Sequence, residues 1–185
     1  MDLLGERELA QIAESEIFFV ATAPLDAAGH VNLSPKGLRD TFAVLTANRV
    51  AYADLTGSGA ETAAHVGENG RITLMWCSFG EQPNVLRLYG RAQAHHKSSE
   101  RFGQLRGLFG EHLGVRGIIE VEVEKVKNSC GFGVPVAGAL QARGDLDAWS
   151  HKKGEEGLAG YQERKNQRSI DGLAAWRQDG LVPQE

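Results

Sequence analysis

The sequence lacks the features that mark several large protein classes. It holds two cysteines, Cys77 and Cys130, in 185 residues. That is too few for a disulfide framework, so reduced thiols in a cytoplasmic protein are expected. No basic run exceeds Lys152-Lys153, and the formal net charge is -4. A nucleic-acid face needs concentrated Lys and Arg, so no nucleic-acid partner is expected. The longest apolar stretch, Ile17 to Leu25, is interrupted by Thr22 and Pro24 and is far too short to span a membrane. The N-terminus, Met-Asp-Leu-Leu-Gly-Glu-Arg-Glu, has neither the basic nor the apolar part of a signal peptide. The six histidines show no H-E-x-x-H or similar spacing, so no metal is expected. There is no G-x-S-x-G elbow, and the glycines fit neither a dinucleotide fingerprint nor a P-loop.

What is present is an ordinary globular balance, 42% hydrophobic and 24% charged, in a chain long enough for one sizeable core. Residues 6–16 read as an amphipathic helix with Leu9, Ile12 and Ala13 on one face. The β-branched and aromatic run Ile17 to Thr22 reads as a strand, with turn chemistry from Pro24 to Gly29 and a returning strand from His30 to Ser34. Further strands are expected at Thr41–Thr46, Val50–Asp54, Arg71–Phe79, Val85–Ala94 and Ile118–Val126, and helices at Ser58–Val66 and Ser98–Phe109. Strand 71–79 is apolar on both faces, which calls for cover on both sides. Val126 falls out of phase with Ile119, Val121 and Val123, which places a bulge near Lys125. Residues 145–179 read as a helical appendage, too short for a core of its own. Short strands with turns between them, and helices after only some strands, indicate an α+β fold built on a six- to seven-stranded antiparallel barrel or sandwich.

Three segments hold candidate chemistry. In Asp54-Leu-Thr-Gly-Ser-Gly-Ala-Glu-Thr-Ala-Ala-His65 a strand ends, a glycine turn follows and a helix begins. Helix N-termini bind phosphate through free N–H groups, and the Ser58 and Thr62 hydroxyls would assist. Equally, Ser58 to Glu61 spells a capping box that would satisfy those groups internally, and a folded-back Glu61 would repel an anion. In Asn32-Leu-Ser-Pro-Lys-Gly37, Lys36 projects from a strand end, as either a ligand-binding or a solvated lysine. In Asn128-Ser-Cys-Gly-Phe-Gly-Val-Pro135, Gly131 and Gly133 imply close backbone approach. Cys130 reads as a buried, inert thiol rather than a nucleophile.

In their order, Phe18-Phe-Val-Ala-Thr, Val31-Asn-Leu-Ser-Pro-Lys-Gly, Asp54 to His65, Asn84-Val-Leu-Arg-Leu-Tyr-Gly-Arg-Ala, Ser129-Cys-Gly-Phe-Gly-Val-Pro and Lys165-Asn-Gln-Arg-Ser-Ile-Asp-Gly-Leu resemble the FMN-binding split-barrel superfamily of pyridoxamine 5'-phosphate oxidases. The last two point to an uncharacterised branch. The resemblance implies a single split-barrel domain over 1–185, with barrel and helices in 1–140 and a helical tail in 141–185. It implies FMN at the interface of a homodimer. Val31, Asn32, Leu33, Ser34, Pro35 and Lys36 would line the flavin, Tyr52 and Ala53 would add contacts, and Ser58, Gly59 and Thr62 would form the phosphate loop. The chain departs from the true oxidases in lacking their Ser-Arg-Lys run at that loop, in carrying Val31 where they have arginine, and in lacking a pyridoxine-phosphate set. The expected activity is an FMN-dependent oxidoreductase of unknown small-molecule substrate, with no assignable acid or base. The alternatives are a non-catalytic flavin binder or sensor, or a barrel for deazaflavin or haem.

Overall fold

A computed structural model describes residues 3–37 and 39–176. The elements follow as α1 (Glu6–Glu14), β1 (Ile17–Thr22), β2 (Asn32–Gly37), a short 3-10 turn (Arg39–Thr41), β3 (Phe42–Thr46) and β4 (Arg49–Leu55). Then come α2 (Glu61–Asn69), β5 (Arg71–Cys77), β6 (Val85–His96), α3 (Glu100–Arg106), β7 (Val115–Ser129) and α4 (Asp145–Lys165). The seven strands form one sheet in the order β2-β1-β5-β6-β7-β4-β3, and every pairing is antiparallel. The expected mixed α+β split barrel is the fold observed.

The sheet curls until its two ends face each other. Phe18 of β1 packs against Phe42 of β3 with ring centroids 5.1 Å apart, and Tyr52 and Trp76 complete an aromatic cluster around Phe18. Each strand sends alternate side chains inward, as the period-2 pattern dictates. Val20, Leu74, Trp76, Leu86, Leu88, Val121 and Val123 are buried there. The register of β6 on β7 slips after Tyr89, which leaves Glu124 as the extra residue of a bulge, one position from where it was expected. Gly90 permits the slip, because any β-carbon there would run into the Glu122 carbonyl.

The differences from the sequence reading lie at element ends and in the tail. β5 stops at Cys77, β6 runs on to His96 and β7 spans Val115–Ser129. Ile72, Leu74 and Trp76 are buried, but Thr73, Met75 and Cys77 stay half-exposed, so within one chain β5 is covered on one face. Ser99 caps α3, its hydroxyl accepting from the Phe102 N–H. The tail is helical only to Lys165 and breaks inside at Gly154, whose φ of 65° suits glycine. Trp149 and Tyr161 pack edge to face at 5.1 Å across that break. Residues 166–176 then form an irregular strap with an isolated bridge between Arg168 and Ala174 and a turn at Gly172, φ 81°. Turn-forming Ser169 and Gly172 explain the end of the helix. Residues 177–179 of the expected appendage lie outside the described residues.

Candidate functional site

The inner face of edge strand β2 carries Asn32, Ser34 and Lys36, half-buried, while Val31, Leu33 and Pro35 face out and are exposed. The inner row runs into two buried polar chains. At one end, the Asn32 amide donates to the hydroxyls of both Thr22 and Thr62, each at 3.1 Å. Thr22 Oγ1 lies 3.0 Å from His65 Nδ1. His65 is wholly buried and Nε2 has no partner. Burial pushes its pKa below the ordinary histidine value, so the ring is neutral at pH 7.

At the other end, Lys36 Nζ donates to Asp54 Oδ1 at 2.8 Å, and Arg116 Nε donates to Asp54 Oδ2 at 2.7 Å. Burial alone would push the Asp54 carboxyl up. The Arg116 guanidinium and then the Lys36 ammonium outweigh burial and hold it at about 2. Lys36 also sits over the Tyr52 ring, 5.9 Å from its centroid. Burial, and then the Asp54 charge, pushes the Tyr52 hydroxyl well above its usual range. On the far side Arg116 lies against Trp176 of the strap, at 5.7 Å.

The loop between β4 and α2 starts differently from its sequence signal. The helix begins at Glu61, with Ala60 as its N-cap residue and no side-chain cap. The Ser58–Glu61 capping box therefore does not form, since Ser58 is exposed and sits two residues ahead of the N-cap position. Glu61 folds back so that a β-carbon on Gly59 would meet its carboxylate. Its Oε1 also accepts from the Ile170 N–H of the strap at 3.3 Å.

The structure thus brings Asn32, Ser34, Lys36, Tyr52 and Thr62 together. Ala53 lies buried beneath α3, on the other face of β4, and Gly59 lies under Glu61. Val31, Leu33, Pro35 and Ser58 stay at the surface. Three members were missed as site residues. Asp54 could have been found as a lone acid ending an apolar strand run, and His65 as a histidine on the apolar face of α2. Arg116 lies between Gly114 and Gly117 and gave no local signal. Two readings need correction. Cys130 is exposed, not buried. Gly131 is a close approach to the chain's own Pro83–Asn84 backbone, and a β-carbon on Gly133 would meet nothing within 4 Å. A cavity of about 700 Å³ lies at the Gly37 end of the barrel, lined by Arg7, Gln11, Arg39, Cys77, Asn84 and residues 137–140, among others. Among the described residues, no group of acids, histidines and cysteines is placed to hold a metal, and no helix is long and apolar enough to cross a membrane.

Residues 4–130 match the family model described as pyridoxamine 5'-phosphate oxidase. The chain belongs to this family. The family protein ustO of Aspergillus flavus is 38% identical over 175 residues, which cover 85% of this chain and 69% of the relative. Two solved structures share the fold. One is a pyridoxamine 5'-phosphate oxidase-like protein from Lactobacillus delbrueckii, with a TM-score of 0.54, 15% identity, and coverage of 69% of this chain and 95% of that one. The other is HupZ of Group A Streptococcus, with a TM-score of 0.51, 20% identity, and coverage of 73% and 100%. Set against the FMN expected of such a barrel, the residues present fit. The first turn of α2 offers backbone N–H groups free of a side-chain cap, and Lys36, which gives Asp54 one of its three N–H donors, has others along β2. Positions 50–70 contain no Lys or Arg, so only backbone, hydroxyls and the helix end remain for a phosphate.

Proposed function

We propose that this family member binds FMN along the inner face of β2 and the start of α2. It works as a cytoplasmic homodimer with the flavin at the subunit interface, and serves as an oxidoreductase for a small molecule. The observation that supports this most is the continuous polar row from Lys36 through Ser34 and Asn32 to Thr62, ending at a helix start without a side-chain cap. A bound flavin would supply the electron transfer itself. The chain supplies orientation. Asp54 fixes the Lys36 ammonium in place, Asn32 fixes Thr62, and neutral His65 keeps charge out of the barrel end. One helix start suits one terminal phosphate, which favours FMN over FAD.

The test is a flavin fluorescence titration of the purified protein, with absorbance spectra before and after. FMN should bind at micromolar concentration or tighter, and more strongly than FAD. Reduction of the bound flavin by NADH or NADPH separates an oxidoreductase from a passive binder. Absence of quenching with either flavin would remove the flavin reading.

A further inference from the structure

Helix α4 is an arm held down by polar contacts. Of its 21 residues only Ser150 and Leu158 are buried. Its far end lies on the proposed ligand loop, where Gln162 Nε2 donates to Thr56 Oγ1 at 2.8 Å and Asn166 Nδ2 donates to the Gly57 carbonyl at 3.0 Å. Its near end is fastened by one side chain of the barrel. His112, ahead of β7, places Nδ1 2.9 Å from Asp147 of α4 and Nε2 3.0 Å from Asp40 of the 3-10 turn. We infer that His112 is a proton-operated clasp, which in its imidazolium form holds α4 over the loop 56–61 and on deprotonation lets that arm lift.

The geometry requires a charged ring. Both nitrogens face carboxylate oxygens, which only accept, and a neutral imidazole has a single N–H to offer. Burial opposes the charge, but the hydrogen bonds to Asp147 and Asp40 outweigh it and raise the His112 pKa. The contribution is therefore complete below the ordinary histidine value and is lost as pH rises through the raised one. Other charged groups nearby do not replace it. Arg106 of α3 donates to the Phe109 and Gly110 carbonyls, Arg39 turns to Glu16, and Glu111 and His151 are exposed. The strap beyond α4 has a second pairing, between His30 Nδ1 and Asp171 at 2.6 Å, but there the His30 backbone N–H also donates to Asp171 at 2.8 Å. That contact survives loss of the ring proton. Packing of Ala175 and Trp176 against Ala60, Ala63 and Ala64 also does not titrate. The pH response thus belongs to α4 and not to the end of the strap.

Hydrogen–deuterium exchange of the full chain, without ligand, tests this at about pH 6 and about pH 8.5, corrected for intrinsic exchange, with the β7 centre as internal reference. Between the two, protection of 145–165 should fall about three- to tenfold, less than a buried charge-assisted hydrogen bond would give because Asp40 is exposed. Protection of 56–61 should fall with it. His112→Gln should show the low protection at both pH values, and Asp147→Asn, at a partly exposed position, should do the same should the first variant not fold. A pH response that persists in the variants overturns the clasp. So does a wild-type loop 56–61 whose protection is the same at both pH values.

Discussion

Lys36 shows how a single side chain is misread when its partner is distant in sequence. From the pattern Ser-Pro-Lys-Gly alone it is either a ligand contact or a solvated lysine. In the structure it is bound to Asp54, which is wholly buried and shared with Arg116. The pairing crosses the barrel between β2 and β4, so no local spacing could announce it. The sequence did mark Asp54 as the head of a functional segment. What it could not supply was the charge balance, one carboxylate against two cations in a dry interior, where each member left alone is costly. Lys36→Met should therefore lower stability at pH 7 by about 1.5–3 kcal/mol, the range for a hydrogen bond to a charged group. The sign with pH follows from Asp54. Its lowered pKa contributes stability that is present above the ordinary carboxylate value and lost as pH falls toward about 2. Urea unfolding should thus show the gap between wild type and variant shrinking from pH 7 to about pH 3. A gap independent of pH would mean that Lys36 acts through packing and not through Asp54.

At the level of elements, strand existence was legible because burial enforces alternation, and all seven strands from β1 to β7 lie within a few residues of their expected positions. Helix starts were less so. The Ser58-x-x-Glu61 signature describes a helix from residue 59, whereas α2 begins at Glu61 and leaves Ser58 in solvent. Tertiary contacts decided this, with Ala60, Ala63 and Ala64 packed on Ala175 and Glu61 drawn to the Ile170 N–H. The strap that makes these contacts comes from the far end of the chain, beyond the reach of any window. As a result, the Glu61 carboxylate stands at the helix end where an anion would bind, and a second negative charge there is repelled. Glu61→Gln removes the charge and keeps the shape. It should tighten FMN about three- to tenfold, from a dipole and charge effect on the order of 1 kcal/mol, while riboflavin, which has no phosphate, should bind as before. Parallel titrations of both flavins separate the cases. Equal gains for both would assign the effect to loosening of the strap and not to the phosphate.

At the scale of the whole molecule, the described residues leave one sheet face uncovered, and the registers say what lies on it. Leu33 pairs with Ala21, which pairs with Thr73; Pro35 pairs with Phe19, which pairs with Met75. These side chains share the outer face of β2, β1 and β5, with Leu33 65% and Val31 73% exposed. No helix among the described elements covers them, unlike the outer face of β4 and β7, where α3 packs. The sequence showed that β5 was apolar on both sides and therefore needed cover; it could not show whether that cover came from the same chain. An edge strand with a flat apolar flank invites pairing unless another surface occupies it. A second copy is the simplest occupant, since a twofold contact needs one patch that complements itself. An interface of about 1,200–2,000 Å² is enough for a stable specific pair. We expect light scattering to give twice the 20.0 kDa chain mass at micromolar concentration. Leu33→Glu places a charge in the centre of the patch at an already exposed position, so folding is preserved while association is lost. The variant should run as a monomer with an unchanged circular dichroism spectrum. A monomeric wild type would remove the dimer and leave the stripe on β2, β1 and β5 without a partner. A dimeric Leu33→Glu would move the interface elsewhere, with the exposed Phe132 and Val136 after β7 as the next surface to charge.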